Sequence, residues 1–440
     1  MRILTFKEFM STEKDSYSAA YEEELDTSVL KIIRQVKEYG DGAIRSYTEK
    51  FDRVRLDNFV VSKEEFAEAR DLVSSSFLDA IKQAKKNITD FHQEQKEKSW
   101  FITKNQGVML GQKVTPLEKV GVYIPGGKAA YPSSVLMNVI PAQLAGVEQL
   151  VITTPPQPNG KINPHVLVAA QEAGVDTIYK VGGAQAIAAL AYGTETVEKV
   201  VKIVGPGNAY VARAKKWVFG DVAIDMIAGP SEICIVADES APPSYIAADL
   251  LSQAEHDELA SSICITTSRV LADSILIEIE KQAAALERKD IIDKSLDSNG
   301  KIIVAKDLTN AFEIVNEIAP EHLQLMIKNP TEGMYSIKNA GAIFLGNFSP
   351  EPLGDYIAGP NHTLPTSGTA AFSSPLGVYD FVKKSSIIHY SQEALLETAD
   401  HIIKLANTEG LTAHANSIQV RKDDSDANTQ HYQKNSRNSD

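Results

Sequence analysis

Apolar and polar positions along the chain change their period twice. Up to about residue 100 the apolar side chains recur at helical spacing. Val29, Ile32, Ile33 and Val36 precede Gly40, and Phe66-Ala-Glu-Ala69 and Phe77-Leu-Asp-Ala-Ile-Lys-Gln-Ala84 repeat the pattern. Charged helices of this kind cover a core rather than carry chemistry. From about 116 to 230, short apolar runs alternate with helical ones. The runs are Val120-Gly-Val-Tyr-Ile124, Gln149-Leu-Val-Ile-Thr153, Thr177-Ile-Tyr-Lys-Val181 and Val200-Val-Lys-Ile-Val204, with helices over 134–145, 164–173, 184–191 and 208–217. Such alternation predicts parallel β-α-β units, whose covered strands are apolar throughout. A second α/β stretch runs from 231 to about 376. Its candidate strands are Glu232-Ile-Cys-Ile-Val-Ala237, Ser262-Ile-Cys-Ile-Thr266, Lys301-Ile-Ile-Val-Ala305 and Ala342-Ile-Phe-Leu345, with helices over 244–256, 270–287 and 307–317. Tyr379-Asp-Phe-Val-Lys383, a helix over about 391–408 and the segment Glu409 to Arg421 follow. From about Lys422 to Asp440 the chain is almost free of apolar side chains and is expected to be disordered.

Composition narrows the partners. A chain of 440 residues, 43% hydrophobic and 23% charged, has room for two or three domains of an ordinary soluble protein. A net charge of −14 with no offsetting basic patch argues against nucleic acid. No apolar run approaches the ~18 residues of a membrane span, and the N-terminus has neither an apolar h-region nor a transit pattern. Cys234 and Cys264 each sit in an Ile-Cys-Ile run and read as small buried residues of a reducing compartment. A cytoplasmic protein without nucleic-acid or membrane partners is expected.

The chemistry concentrates in a few segments. Gln253 and His256 lie three apart late in a helix whose buried stripe holds Ile246 and Leu250, so both project from nearly one face. An amide oxygen and an imidazole nitrogen there can ligate a metal, but further ligands must come from elsewhere. Pro320-Glu-His322, the run Gly354-Asp-Tyr-Ile-Ala-Gly-Pro-Asn-His362 and Glu409-Gly-Leu-Thr-Ala-His414 can supply them. Of nine histidines, His92, His165, His389, His401 and His431 read as surface or satisfied residues. His256, His322, His362 and His414 differ, each near a carboxylate or amide at a glycine- or proline-marked loop or helix end. Asp355 reads equally well as a solvated turn residue or a functional one. Glu321 and His322 read as the first turn of a helix with Pro320 at N1, where the dipole lowers both pKa values in isolation. Three glycine corners follow strands: Tyr123-Ile-Pro-Gly-Gly127, Val181-Gly-Gly-Ala-Gln185 and Val204-Gly-Pro-Gly-Asn208. None is a G-x-G-x-x-G fingerprint, yet each sets permissive backbone before a helix start, which suits a pyrophosphate.

Together these segments resemble the histidinol dehydrogenase family. The resemblance rests on Gly121-Val-Tyr-Ile-Pro-Gly-Gly127, Val181-Gly-Gly-Ala-Gln-Ala-Ile187, Val204-Gly-Pro-Gly-Asn208, Ala228-Gly-Pro-Ser-Glu232, Gln253-Ala-Glu-His256, Pro320-Glu-His322, Gly354-Asp-Tyr356, Asn361-His362 and Glu409-Gly-Leu-Thr-Ala-His414, in family order. It implies oxidation of L-histidinol to L-histidine in two NAD-dependent steps through an enzyme-held aldehyde, with one zinc per subunit of an intertwined homodimer. Gln253, His256, Asp355 and His414 would bind zinc, and Ser231, His322, His362 and Glu409 would contact substrate alongside the metal ligands. Glu321 and His322 would be the acid–base pair, and Tyr123, Gln185 and Asn208 would contact NAD. The implied fold is α/β: two incomplete Rossmann-like domains, a helical N-terminal segment and an extended C-terminal dimerisation tail. The expected division is 1–115 with 231–376, carrying most of the zinc and catalytic site, then 116–230 for NAD, 377–421 for the tail and 422–440 disordered. Two other readings compete: a related zinc and NAD alcohol dehydrogenase with another substrate, and a catalytically silent α/β binder.

Overall fold

Parallel sheets form where the apolar runs predict them. In the computed structural model, which describes residues 1–11, 19–126 and 130–437, two units are compact by themselves. The first comprises Met1–Lys96 and Pro116–Phe381, the second Glu97–Thr115 and Val382–Asp440.

The first unit contains two sheets. One has five parallel strands in the order Ile178–Tyr179, Gln149–Thr153, Lys119–Tyr123, Lys202–Val204, Ala223–Ile224. The other has six in the order Arg2–Thr5, Lys301–Val304, Ser261–Thr266, Glu232–Ala237, His322–Met326, Ala342–Leu345, also all parallel. Two strands of this sheet have no counterpart in the sequence reading, nor has Ala223–Ile224 in the other. Arg2–Thr5 falls in a segment read as helical, and it pairs with Lys301–Val304 residue for residue. Glu321-His322 does not open a helix: His322 is the first residue of a strand, paired with Ile233 and Ala342. The buried ladder on both sides outweighs the local Pro-Glu signal.

The sequence reading groups residues 1–115 with 231–376; their side chains distribute differently. Arg2–Thr5 joins the six-stranded sheet. The helices Ala19–Asp52, Lys63–Leu72 and Ser75–Gln93 instead bury Val29, Ile44, Phe66 and Ile88 in the cores around the five-stranded sheet. The first helix kinks at Gly40, where φ is +49° and a Cβ would meet the Glu195 carboxylate. Cys234 and Cys264 are fully buried free thiols, as their apolar runs predict.

The second unit holds a three-stranded sheet, Val382–His389 beside Met109–Pro116 beside Trp100–Thr103, and two helices. Of the segment expected to be disordered, 422–440, residues 438–440 lie outside the described residues. The helix Thr412–Arg437 runs on through the polar segment. It contains neither Gly nor Pro, and Lys422 pairs with Asp400 of the Gln392–Thr408 helix at 2.6 Å.

One buried ion pair fixes the third glycine corner. Lys215 and Asp225 are in contact with side chains 2% and 1% exposed. Lys215 Nζ donates to Gly205 O at 2.9 Å, while Asp225 accepts from Gly205 N at 2.8 Å and Met226 N at 2.6 Å. Lys215→Met keeps the stem but strands the carboxylate, so urea unfolding is expected to register a loss of about 3–5 kcal/mol.

Candidate active site and metal cluster

The cluster forms at the amino edge of the six-stranded sheet. The Pro243–Ala254 helix packs Ile246, Leu250 and Ala254 into the core, each fully buried, and so holds Gln253 inward beside that stripe. A helix crossing between parallel strands runs back against them, so its C-terminus delivers Gln253 and His256 to the strands' starting edge. His322 begins its strand at the same edge, one residue after Glu321. A short helix Glu351–Leu353, continued by a wider turn over Gly354–Ala358, brings up Glu351 and Asp355.

Backbone groups of Glu232 orient Glu321 and His322, the expected acid–base pair. Glu232 N donates to Glu321 Oε2 at 2.8 Å, and His322 Nδ1 donates to Glu232 O at 3.0 Å. With its hydrogen on Nδ1, the neutral ring leaves a lone pair on Nε2. That atom is buried with no hydrogen-bond partner, and it stands 3.9 Å from Asp355 Oδ1. Burial pushes the His322 pKa down to about 4, helped by His256 and His362 nearby. Burial holds the Glu321 carboxyl well above its usual range, the opposite of the helix-start expectation.

Around this pair lie the remaining groups. His362 Nδ1 donates to Asp355 O at 3.0 Å, its Nε2 meets Ser134 Oγ at 3.1 Å, and burial lowers its pKa to about 4. Ligand atoms of His256, Glu351 and Asp355 all lie within 4.8 Å of one another, close enough to hold a metal ion. Gln253 is fully buried, and neither of its amide atoms has a partner. The imidazole and two carboxylates are nitrogen and oxygen donors that zinc accepts, and Gln253, on the helix that leads to His256, would add an amide oxygen. Burial and the facing Asp355 raise Glu351 to about 8, and Asp355 also moves up, chiefly through burial. A cavity of about 490 Å³ opens here, lined by His322, Asp355, His362, Phe344 and Leu364.

The glycine corners meet at the carboxyl edge of the five-stranded sheet. Tyr123 is buried, its hydroxyl accepts Gly183 N at 3.0 Å, and burial pushes its pKa up to about 12. Gly205, at φ +111°, approaches so closely that a Cβ would lie 2.1 Å from Tyr123 O. Pro155 packs on both Gly126 and Gly182, where any Cβ would collide with it; Gly127 lies outside the described residues. Gln185 is 1% exposed with Oε1 unpartnered. Asn208 caps the Ala209–Val218 helix, accepting from Tyr210 N and Val211 N. Ser134, on the helix after the first corner, links this edge to His362.

Of the candidates, Glu321, His322, Asp355 and His362 adjoin one another, His256 adjoins Asp355, and Gln253 shares the helix that leads to His256. Ser231 immediately precedes Glu232. Tyr123, Gln185 and Asn208 belong to the glycine corners. Glu409 and His414 lie in the second unit, both exposed, one ending a helix and one in the first turn of the next. Sequence reasoning missed Glu351, Glu232 and Ser134. Glu351 stands four residues before Asp355, a helical spacing that Pro350 and Pro352 disguise.

The titrations set a pH dependence for the metal-free protein. His322 and His362 are depressed, so their contribution is present above the unfolded pKa of 6.5 and lost as pH falls towards 4. Glu351 is raised, so its contribution is present below 4.5 and lost as pH rises towards 8. Between pH 6.5 and 8 the two histidines add no slope. The melting temperature of chelator-treated protein is therefore expected to fall across that window, and added Zn2+ to flatten the fall.

Comparison with known proteins bears on the whole chain. The family profile described as histidinol dehydrogenase matches residues 16–422. A histidinol dehydrogenase of Oceanobacillus iheyensis is 57% identical over 427 residues, 97% of this chain and all of the relative. One from Bacillus subtilis is 58% identical over 409 residues, 93% of this chain and 96% of the relative. The crystal structure of the Elizabethkingia anophelis histidinol dehydrogenase superposes with a TM-score of 0.90 at 40% identity, covering 97% of this chain and 98% of that one. Matches of that length and identity leave one assignment: the chain belongs to the histidinol dehydrogenase family.

Proposed function

We propose that the protein oxidises L-histidinol to L-histidine through L-histidinal, using NAD as hydride acceptor and one zinc ion per subunit. The observation that carries this reading is His322 Nε2, a buried, unpartnered lone pair opening on a cavity next to a metal-competent cluster. Gln253, His256 and Asp355 are the ligands this chain's cluster would offer, with His414 joining them from the second subunit of an intertwined dimer. Zinc, when bound, supplies a Lewis acid that fixes the amino and imidazole nitrogens of the substrate. NAD, when bound, takes a hydride in each oxidation.

The chain's own groups manage the protons. His322 Nε2 accepts the alcohol proton as the first hydride leaves, while its Nδ1–H stays on Glu232 O. Glu321, once ionised, is a stronger base than a solvated carboxylate because burial disfavours its charge; it activates the water that hydrates the aldehyde. His322 Nε2 returns its proton to the carbonyl oxygen as the hydrate forms, and, neutral again, takes the proton released in the second oxidation. Ser231, His362 and Glu409 would hold the substrate in the cavity of about 490 Å³. Tyr123 retains its hydroxyl hydrogen for a cofactor oxygen, since it accepts from Gly183; Gln185 and Asn208 would complete the NAD contacts. The setting is cytoplasmic amino-acid biosynthesis; among the described residues no helix is long and apolar enough to cross a membrane.

The deciding assay follows NADH formed from L-histidinol before and after chelation and zinc restoration. Two NADH per histidinol, lost on chelation and regained with zinc, is the expected result. Turnover of other alcohols with none of histidinol would redirect the reading to a different substrate. His322→Asn, which keeps a donor for Glu232 O but removes Nε2, is expected to lower kcat by about 10²–10⁴-fold with metal content unchanged. For donation in trans, mixing inactive His414→Ala and His256→Ala chains is expected to restore activity; hybrids that stay inactive would argue for ligation within one chain.

A further inference from the structure

The loop that carries His362 is anchored on an interrupted helix. Pro141 stands inside the buried helix Pro132–Ala145 and has no N–H to give to Met137 O, four residues before it. That carbonyl is taken from outside: Asn361 Nδ2 donates to it at 2.6 Å. The same amide nitrogen lies 3.5 Å from His92 Nε2, the acceptor atom of a fully buried ring whose Nδ1 donates to Ile88 O at 2.9 Å. Asn361 Oδ1 accepts from Thr363 N at 2.8 Å, so both polar atoms of this buried side chain are engaged. His362 follows directly and meets Ser134, three residues before Met137 on the same helix. The helix Ser75–Gln93, which holds His92, also grips the segment further back. Its Asn87 Nδ2 donates to Ile357 O at 2.6 Å, and Gly359, at φ +113°, comes so near that a Cβ would lie 2.6 Å from Asn87 O.

We propose that Asn361 is a positioning residue for His362, its amide filling the hydrogen-bonding gap that Pro141 opens in the helix Pro132–Ala145. This rests on reading His362 as a substrate contact. A proline inside a helix is unfavourable by itself; here the carbonyl it frees is put to use. Asn361 ties the backbone on the N-terminal side of His362 to Met137 O and the backbone after it to its own Oδ1. The imidazole is then left to turn only about its side-chain bonds, and Asp355 O and Ser134 Oγ hold its two nitrogens. A binding group fixed in this way loses little freedom when substrate arrives.

A double-substitution cycle on the full-length protein supplied with Zn2+ separates positioning from folding. Wild type, Asn361→Ala, His362→Ala and the pair together are compared in KM and kcat for L-histidinol, and in histidinol affinity by calorimetry without NAD. Asn361→Ala is expected to raise KM and the dissociation constant about tenfold, the worth of one well-placed hydrogen bond, with kcat moving less. In the His362→Ala background the same substitution is expected to add nothing, because Asn361 acts through that ring. Pro141→Ala gives Met137 O a helical N–H that competes with Asn361, so KM is expected to rise while the melting temperature holds or rises. It takes the place of Asn361→Ala in the cycle if that variant does not fold. Wild-type KM in the folded variant, or an equal rise in KM with and without His362, would overturn the role of Asn361 and leave His362 in the site. Wild-type histidinol affinity in His362→Ala would remove the substrate contact and this proposal together.

Discussion

The site depends on how one peptide unit of the central strand is used. Glu232 offers its N–H to Glu321 and its C=O to His322, so a single residue aligns both members of the proposed acid–base pair. That residue begins a strand paired on both sides within a parallel sheet, and its position is as fixed as the ladder itself. The tautomer of His322 follows, and with it the atom that can accept a proton. Side-chain partners could rotate away; a ladder carbonyl cannot do so without breaking the sheet.

The two sheets are used from opposite edges, with an electrostatic consequence. The carboxyl edge of the five-stranded sheet presents helix N-termini behind its glycine corners, and partial positive charge there favours phosphate. The amino edge of the six-stranded sheet presents the C-terminus of the Gln253 helix, whose partial negative charge favours a cation. Helix polarity thus gives the two edges opposite partial charge before any side chain acts. Ser134, bonded to His362, is where the two arrangements touch.

Legibility from the sequence followed the strength of local pattern. The eight apolar runs read as strands are strands, most of them buried on both faces, a condition that writes itself into composition, while the edge strand Ala342–Leu345 is only partly covered. His322-Leu-Gln-Leu-Met326 escaped because Pro320 and Glu321 imitate a helix start and Gln324, though fully buried, looks like a surface residue. The pKa of Glu321 was misread with it, since a helix-start dipole and a buried strand end act in opposite directions. The candidate site residues were named through motif order rather than spacing. Glu351, which belongs to none of those motifs, came to light only from packing. The polar tail shows the converse: composition without apolar residues argues against a core, but not against a helix.

At the carboxyl edge of the six-stranded sheet, Asp238 closes the crevice beside the central strand by accepting from Lys328 N at 2.8 Å and Ser240 N at 2.9 Å. In most open α/β proteins that edge is the one that must not be disturbed. Here, among the described residues, it carries none of the proposed acid–base pair, the candidate metal cluster or the glycine corners. The exposed Lys306-Asp307 turn that leaves it is consequently a place for grafting a reporter or lengthening a loop, provided Asp307 keeps its cap on the following helix. The same surgery between His256 and Ser261, on the opposite edge, would cut through the chemistry.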